Sequence, residues 1–387
     1  MNRLAGFTST ESKRPGALFG VAEPALRMSR SAGCRVWDTA GREYLDFIMA
    51  LGAVALGYGH PAVTRAAVVA LEGGGVGPLP PVQEEELAAE LCRLIPWMER
   101  VRFLKTGAEA VAAAVRLARL ATGRDAVLGC GYHGWLDWCQ TREAAGVPPA
   151  TRSLYGEIPF NHPGRARELI RAAGDRLAAV VFEPVILASP DPDWLAVLRE
   201  ETTRVGAVLV VDEIKTVCRL AVGGGCERFG IRPDLVVLGK AMANGFPLAA
   251  VGGRADLMDG VRRTWISSTL ATDSVALAAA AATLRVMAEE RVPEHLGRVG
   301  ARLLDGLRGL AARYEGLVTG VAGLPEMCHL SYRDEPASGR VALACAERGL
   351  LFKRSAYNFV SLAHDTVAVD RCLAVLDDAL STVGRSA

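Results

Sequence analysis

Residues 208–254, VLVVDEIKTVCRLAVGGGCERFGIRPDLVVLGKAMANGFPLAAVGGR, constrain the fold more than any other part of the sequence. The run Ala207-Val208-Leu209-Val210-Val211 is apolar throughout, the pattern of a parallel strand buried on both faces. It ends in Asp212-Glu213, which puts two carboxylates at a strand's C-terminal end, the edge where open α/β sheets keep their ligands. A second run, Leu235-Val236-Val237-Leu238, ends in Gly239-Lys240. A lysine directly after a buried strand loses hydration, which lowers its pKa and makes its amine a candidate imine-forming nucleophile.

An acid and a lysine at two neighbouring strand ends meet the demands of one cofactor. Pyridoxal 5′-phosphate needs a lysine for its Schiff base and an acid to keep its pyridine nitrogen protonated. Taken singly, Asp212 also reads as a helix cap and Lys240 as a solvated loop residue; the ordered pattern around them decides. Asp212-Glu213-Ile214, Gly223-Gly224, Phe229-Gly230-Ile231-Arg232-Pro233-Asp234-Leu235, Leu238-Gly239-Lys240, Gly245-Phe246-Pro247 and Gly252-Gly253-Arg254 resemble the class III aminotransferases of fold type I. Among these, the glutamate-1-semialdehyde aminomutase-like branch is the most similar. The resemblance covers essentially the whole chain. It implies an α/β fold, with a large domain on a mostly parallel seven-stranded sheet and a smaller α/β domain. Residues 1–50 are expected to contribute to the small domain, 51–275 to form the large cofactor-binding domain, and 276–387 to complete the small one.

Length and composition agree with this. A chain of 387 residues, half of them hydrophobic and 22% charged, suits a large domain plus a smaller one. A formal net charge of +1 gives no field for nucleic acid or a membrane surface. No apolar run has the length of a bilayer span, and MNRLAGFTSTESKRPG lacks an apolar signal core, so a cytoplasmic location is expected. The nine cysteines form no CxxC pair and no zinc spacing with histidine, so they read as free, mostly buried thiols and no metal is expected. No G-x-G-x-x-G follows the first strands, which ranks a dinucleotide-binding enzyme low.

In chain order, residues 1 to about 30 read as irregular, and Gly33–Phe47 as a hairpin turning at Thr39-Ala40-Gly41. A helix starts near Ala62 and an amphipathic helix spans 83–96. Val101–Lys105 reads as a strand, followed by Thr106-Gly107-Ala108 and an alanine-rich helix. A strand, a small-residue turn and a helix N-terminus make an anion site. In the family this is the phosphate turn, which implies Thr106, Gly107 and Ala108 as cofactor contacts. Here the hydroxyl stands one place earlier than usual, so the backbone donors of Gly107 and Ala108 carry more. The strand Ala126–Gly129 leads to Gly131-Tyr132-His133-Gly134-Trp135-Leu136-Asp137-Trp138, where Tyr132 suits stacking on a planar cofactor and His133 follows it. The wording Y-H-G-W-x-D-W is closest to a sub-branch that aminates sugars in polysaccharide and antibiotic pathways. Residues 139–165 read as a long loop with Arg142, Arg152, Tyr155 and Asn161 as substrate-contact candidates. Leu177–Phe182 reads as a strand ending in Glu183-Pro184; Glu183 either sits at the cofactor's O3′ edge or caps the next segment. A helix from about Val275 to Glu290 leads out of the large domain, and Phe359–His364 reads as a strand.

The family resemblance assigns the remaining roles. Lys240 is the Schiff-base lysine and the proton shuttle, Asp212 holds the ring nitrogen protonated, Tyr132 stacks, and His133, Glu183 and Ile214 line the cofactor. Thr269, in the family's G-T-x-x-x-N/D-P region, reaches the partner's cofactor phosphate, which implies a homodimer with a shared active site. The reaction implied is transfer of an amino group from an amino-acid donor to a keto or aldehyde acceptor. Pro15–Val21 lacks the serine or arginine that contacts a substrate carboxylate in the aminomutase, and Ser355-Ala356-Tyr357-Asn358 replaces a glutamate-containing loop. Phe19, Tyr357 and Asn358 suit a hydroxylated or cyclic acceptor, so a sugar-like or secondary-metabolite intermediate is expected. An aminomutase, or a racemase or epimerase on the same scaffold, stays open as the alternative, and an idle relative with a binding role ranks below these.

Overall fold

Seven short strands pair into one sheet: β1 Arg100–Leu104, β2 Ala126–Cys130, β3 Tyr155–Glu157, β4 Leu177–Phe182, β5 Val208–Asp212, β6 Leu235–Leu238 and β7 Ala249–Gly253. This is seen in a computed structural model describing residues 3–22, 24–140 and 144–385. The strand order is β1-β7-β6-β5-β4-β2-β3. Only β7 runs against its neighbours; the other pairings are parallel. The C-terminal ends of β1, β2, β4, β5 and β6 therefore share one edge of the sheet.

Alternation along the strands explains why the apolar runs are unbroken. Ala179, Val181, Val208, Val210, Leu235 and Val237 face the helix α1, Gly107–Thr122, through its Ala110, Val111, Ala114, Val115 and Leu117. Val180, Phe182, Leu209 and Val211 face the other way, onto Ile170 of α2, Pro163–Ala173, and onto Trp194, Val197 and Leu198 of α3, Pro192–Val205. Each of these larger side chains contributes about 1.5–3 kcal/mol by leaving water. Both faces are apolar, so the sheet's polar chemistry is confined to its ends.

The chain divides into two units, residues 61–290 and residues 1–60 with 291–387. The sequence reading set these borders at 50/51 and 275/276. The helix Ser274–Glu289 belongs with residues 61–290 because it packs along Pro61–Glu72 and Val82–Leu94. In the other unit, Met28–Ala32, Arg35–Asp38 and Glu43–Asp46 form an antiparallel ribbon, with Leu350–Leu351 parallel to the last strand. Val318–Leu324, Met327–Tyr332 and Asn358–Phe359 form a second, antiparallel sheet.

Several local expectations change. The first 30 residues are not all irregular: Pro15 opens a short helix, Pro15–Phe19, where a proline at the first turn loses no hydrogen bond. The stretch 139–165 is not one loop; Tyr155–Glu157 pairs with β2 as an edge strand too short to show a period. The strand placed at Phe359–His364 stops at Phe359, because Ser361 and His364 close a turn, with the Ser361 N–H donating to His364 Nδ1 at 3.0 Å. Phe19 and Asn358 are not substrate-facing. Phe19 packs in a core with Val36, Tyr44, Ala342 and Ala346, and Asn358 brackets the backbone N–H and C=O of Lys353 at 2.6 and 3.0 Å.

All nine cysteines are free, and burial pushes the thiols of Cys130, Cys218, Cys328 and Cys345 up to about 12. Among the described residues, no helix is long and apolar enough to cross a membrane and no His/Cys/Asp/Glu group has metal-ligating geometry.

Candidate active site

The strand ends bring the candidate residues of five separate segments onto one sheet edge. Asp212, only 2% exposed, closes β5 on the α1 face. Its Oδ1 accepts the Ile214 N–H at 3.1 Å and its Oδ2 meets His133 Nδ1 at 2.8 Å. With an acceptor-only carboxylate opposite, Nδ1 carries the hydrogen of that bond. The His133 ring is buried, stacks on Trp138 at 6.3 Å between centroids, and has no partner at Nε2 among the described residues.

The turn after β2 is shaped by two glycines. Gly131 has φ +114°, and a Cβ there would lie 2.6 Å from Glu183 Oε2. Gly134 has φ +100°, and a Cβ would lie 2.7 Å from the Ala108 Cβ, so this turn abuts the one that opens α1. Between them the exposed Tyr132 donates its N–H to Glu183 Oε2 at 3.0 Å. Gly131→Ala is expected to destabilise the protein by about 1–3 kcal/mol and to weaken cofactor binding, from strain plus displacement of Glu183. Thermal melts and a cofactor titration check this; unchanged values in both would refute the packing argument.

Thr106 is the N-cap of α1, in a capping box. The Glu109 N–H donates to its hydroxyl at 3.3 Å, and Glu109 Oε2 accepts the Thr106 and Lys105 N–H groups at 2.9 and 3.1 Å. The hydroxyl expected on a phosphate is thus engaged in capping. Gly107 and Ala108, in the first helical turn, have N–H groups without an intrahelical acceptor, the donors that an anion cradle at a helix N-terminus needs. The Ile214 side chain lies against both Gly107 and Gly239, joining this cradle to the next strand end.

Lys240 follows β6 with φ +44°, a left-handed conformation that costs a non-glycine residue about 1–2 kcal/mol. Part of its side chain is accessible, but protein atoms surround the ammonium, and desolvation lowers its pKa. The charges of Glu183 and Asp212 oppose that shift, while those of Lys215 and Arg219 reinforce it. No carboxylate lies within ion-pair distance of this ammonium among the described residues. A desolvated amine without a paired carboxylate, a buried acid and an N–H cradle on one sheet edge fit pyridoxal phosphate.

Other candidates fall elsewhere. Thr269 is exposed on the turn Thr269–Thr272, and no hydrogen bond links it to the residues above among those described. Tyr155 packs edge-on against Trp138 at 5.9 Å with its hydroxyl over Gly129, so it is a core residue. Asn161 braces the Ser189 carbonyl and the Asp191 N–H, at 3.0 and 2.8 Å. Arg152 is half-buried, and Arg142 lies outside the described residues.

Sequence reasoning missed two neighbours of the site, Lys215 and Arg219, and placed a third, Glu213, at the strand end without a role. Lys215 pairs with Glu183 Oε1 at 3.0 Å. Arg219 is fully buried. Glu213 accepts the Gly225 and Cys226 N–H groups at 2.8 and 2.6 Å, pinning the loop after β5, and its desolvated carboxyl has a raised pKa. Three charged residues inside an otherwise apolar, glycine-rich stretch were the available signal.

Comparison with known proteins identifies the family. Residues 19–382 match the family model for class-III aminotransferases, and the chain belongs to that family. With the family come the cofactor, pyridoxal 5′-phosphate, and the reaction class, transamination. Within it the chain is similar to the glutamate-1-semialdehyde 2,1-aminomutase of Sorangium cellulosum (strain So ce56), at 33% identity over 94% of this chain and 91% of that one. In structure it is similar to the FumI protein of Sphingopyxis sp. MTA144, solved in its PLP internal aldimine form, with a TM-score of 0.91 and 28% identity over 98% and 93% of the two chains. The β-phenylalanine aminotransferase of Variovorax paradoxus gives 0.85 and 27% over 99% and 92%.

Proposed function

We propose that this enzyme moves an amino group from an amino-acid donor to a keto or aldehyde acceptor of sugar-like or secondary-metabolite type. The observation that carries the transferase reading is the desolvated Lys240 amine, on the same sheet edge as the Asp212–His133 pair. When bound, pyridoxal phosphate supplies an aldehyde that takes up the amino group and a ring that accepts electrons. Lys240 holds the cofactor and, once released by the donor, moves the substrate's Cα proton as base and then as acid. Asp212 keeps a proton on the pyridine nitrogen, and His133 and the Ile214 N–H fix the carboxylate's direction. Tyr132 covers a ring face, Glu183 borders the ring's edge, and the N–H groups of Gly107 and Ala108 take the phosphate.

The acceptor class rests on the Y-H-G-W-x-D-W wording and on the missing aminomutase residues in Pro15–Val21. A second reading, an aminomutase, is favoured by identity to enzymes of that name. Donor alone should bleach the cofactor's visible band, and keto-sugars should then restore it. Turnover of glutamate semialdehyde, with none of keto-sugars, would overturn the acceptor assignment.

The active unit in this proposal is a homodimer. The segment carrying Thr269 supports it, since Trp265 and Leu270 beside it are 83% and 54% exposed. Thr269→Val should weaken cofactor affinity about 10- to 150-fold, the loss of one hydrogen bond to a charged group. Fluorescence titration measures this, and an unchanged affinity would remove Thr269 from the site.

A further inference from the structure

We propose that Lys215 is a positioning residue for the reaction: it holds the Glu183 carboxylate in an ion pair, so that this carboxylate is kept from pairing with the Lys240 amine. This rests on the assignment of Lys240 above.

The geometry is that of a bridge. Glu183 follows β4 and Lys215 lies in the turn after β5, where the Thr216 N–H donates to the Glu213 carbonyl at 3.0 Å and folds the chain back. Lys215 Nζ stands 3.0 Å from Glu183 Oε1, and Glu183 Oε2 takes the Tyr132 N–H at 3.0 Å. One carboxylate is thus held from both sides, by a cation and by the backbone of the stacking tyrosine. Both residues of the ion pair are under 10% exposed.

Such a pair needs a reason beyond stability. Two charges withdrawn from water contribute little net, and apolar residues of similar volume often serve the fold as well. Its position supplies the reason. The charged groups that act on Lys240 are Glu183 from the end of β4, Lys215 and Asp212 from the end of β5, and Arg219 from the turn beyond, with His133 behind Asp212. Glu213, also buried there, is turned to the Gly225 and Cys226 N–H groups. Glu183 and Asp212 favour the protonated Lys240. Lys215, pairing with Glu183, moves the balance the other way.

The test uses the purified holoenzyme and reads the pH midpoint of its cofactor band, which follows the proton on the Lys240 nitrogen. In Lys215→Met the midpoint is expected to rise by roughly half a pH unit or more, about threefold in proton affinity. The acid limb of the kcat profile should move with it. Lys215→Arg should stay near wild type, and Glu183→Gln should shift the midpoint down. If Lys215→Met does not fold, Lys215→Met/Glu183→Gln, which leaves neither charge unpaired, is read against Glu183→Gln and should lie close to it, since no carboxylate remains for Lys215 to hold. A midpoint unmoved in Lys215→Met, a double variant well above Glu183→Gln, or an arginine variant that behaves like methionine, overturns the proposal. Lys240→Ala run alongside separates the two levels: a normal band there would bring down the Lys240 assignment, whereas its loss together with unmoved Lys215 variants would bring down only this inference.

Discussion

Lys240→Ala is expected to lower kcat by about 10⁴-fold or more and to remove the visible band of covalently held cofactor. Two functions are lost at once, the covalent hold and the proton transfer at Cα, and proton transfer alone is worth about 10²–10⁴. Added small amines should restore part of the rate, since they replace the nitrogen but not its placement. The same substitution has a second signature, in stability. Desolvation holds the Lys240 pKa below its ordinary 10.5 in the folded cofactor-free chain. Below pH 10.5 the unfolded chain then binds more protons at this residue, so its contribution to stability is lost as pH falls from 10.5 towards the depressed value. Lys240→Ala should flatten that slope, and its melting temperature without cofactor should exceed that of wild type at neutral pH. Thermal melts from pH 7 to 10 on cofactor-stripped protein measure it. A wild-type slope in the variant would mean that the lysine is well hydrated, contrary to its position.

Asp212→Asn is the second large effect. The amide keeps the size of the carboxylate but not its charge, so it cannot hold a proton on the pyridine nitrogen. The expected fall in kcat is about 10²–10⁴-fold, with cofactor binding much less affected. The partner at 2.8 Å sharpens the prediction. His133→Phe leaves the Asp212 carboxylate in place but aimed by the Ile214 N–H alone, so its loss should be smaller, about 10-fold, and should not add to that of Asp212→Asn. Single-turnover rates with donor separate the two from any change in acceptor binding. Equal losses in the two variants would mean that His133 does more than orient.

What was legible in the sequence follows from the physics of parallel sheets. Strands buried on both faces are apolar without interruption, so the residues that end them, Asp212, Glu183 and Lys240, are visible at once. The Thr106-Gly107-Ala108 turn was visible for a similar reason, small residues between a strand and a helix. Relations across the sheet were not legible. His133 and Asp212 lie far apart in the chain and meet only through the register of β2, β4 and β5, and the Lys215–Glu183 pair depends on that same register. Tyr155 and Phe19 were misread because an aromatic in a proline-rich stretch has no period to reveal that it faces a core. The hydroxyl of Thr106 was assigned to the cofactor, where Glu109 three residues on instead forms a capping box with it. The residues 49–51, all with positive φ, carry no glycine to announce their left-handed turn.

The order of strands also governs when the site can exist. β1, which leads into the phosphate cradle, is an edge strand and pairs only with β7, although β7 is the last strand of the sheet to be made. The cradle is therefore the first of the site's segments to be translated, and the strand that leads into it is the last to be paired. Until residues 249–253 have left the ribosome, β1 has no strand partner, and the phosphate turn is held beside Asp212, Glu183 and Lys240 only through the packing of α1. Closing the site thus requires the longest-range pairing within the seven-stranded sheet, that of Arg100–Leu104 with Ala249–Gly253.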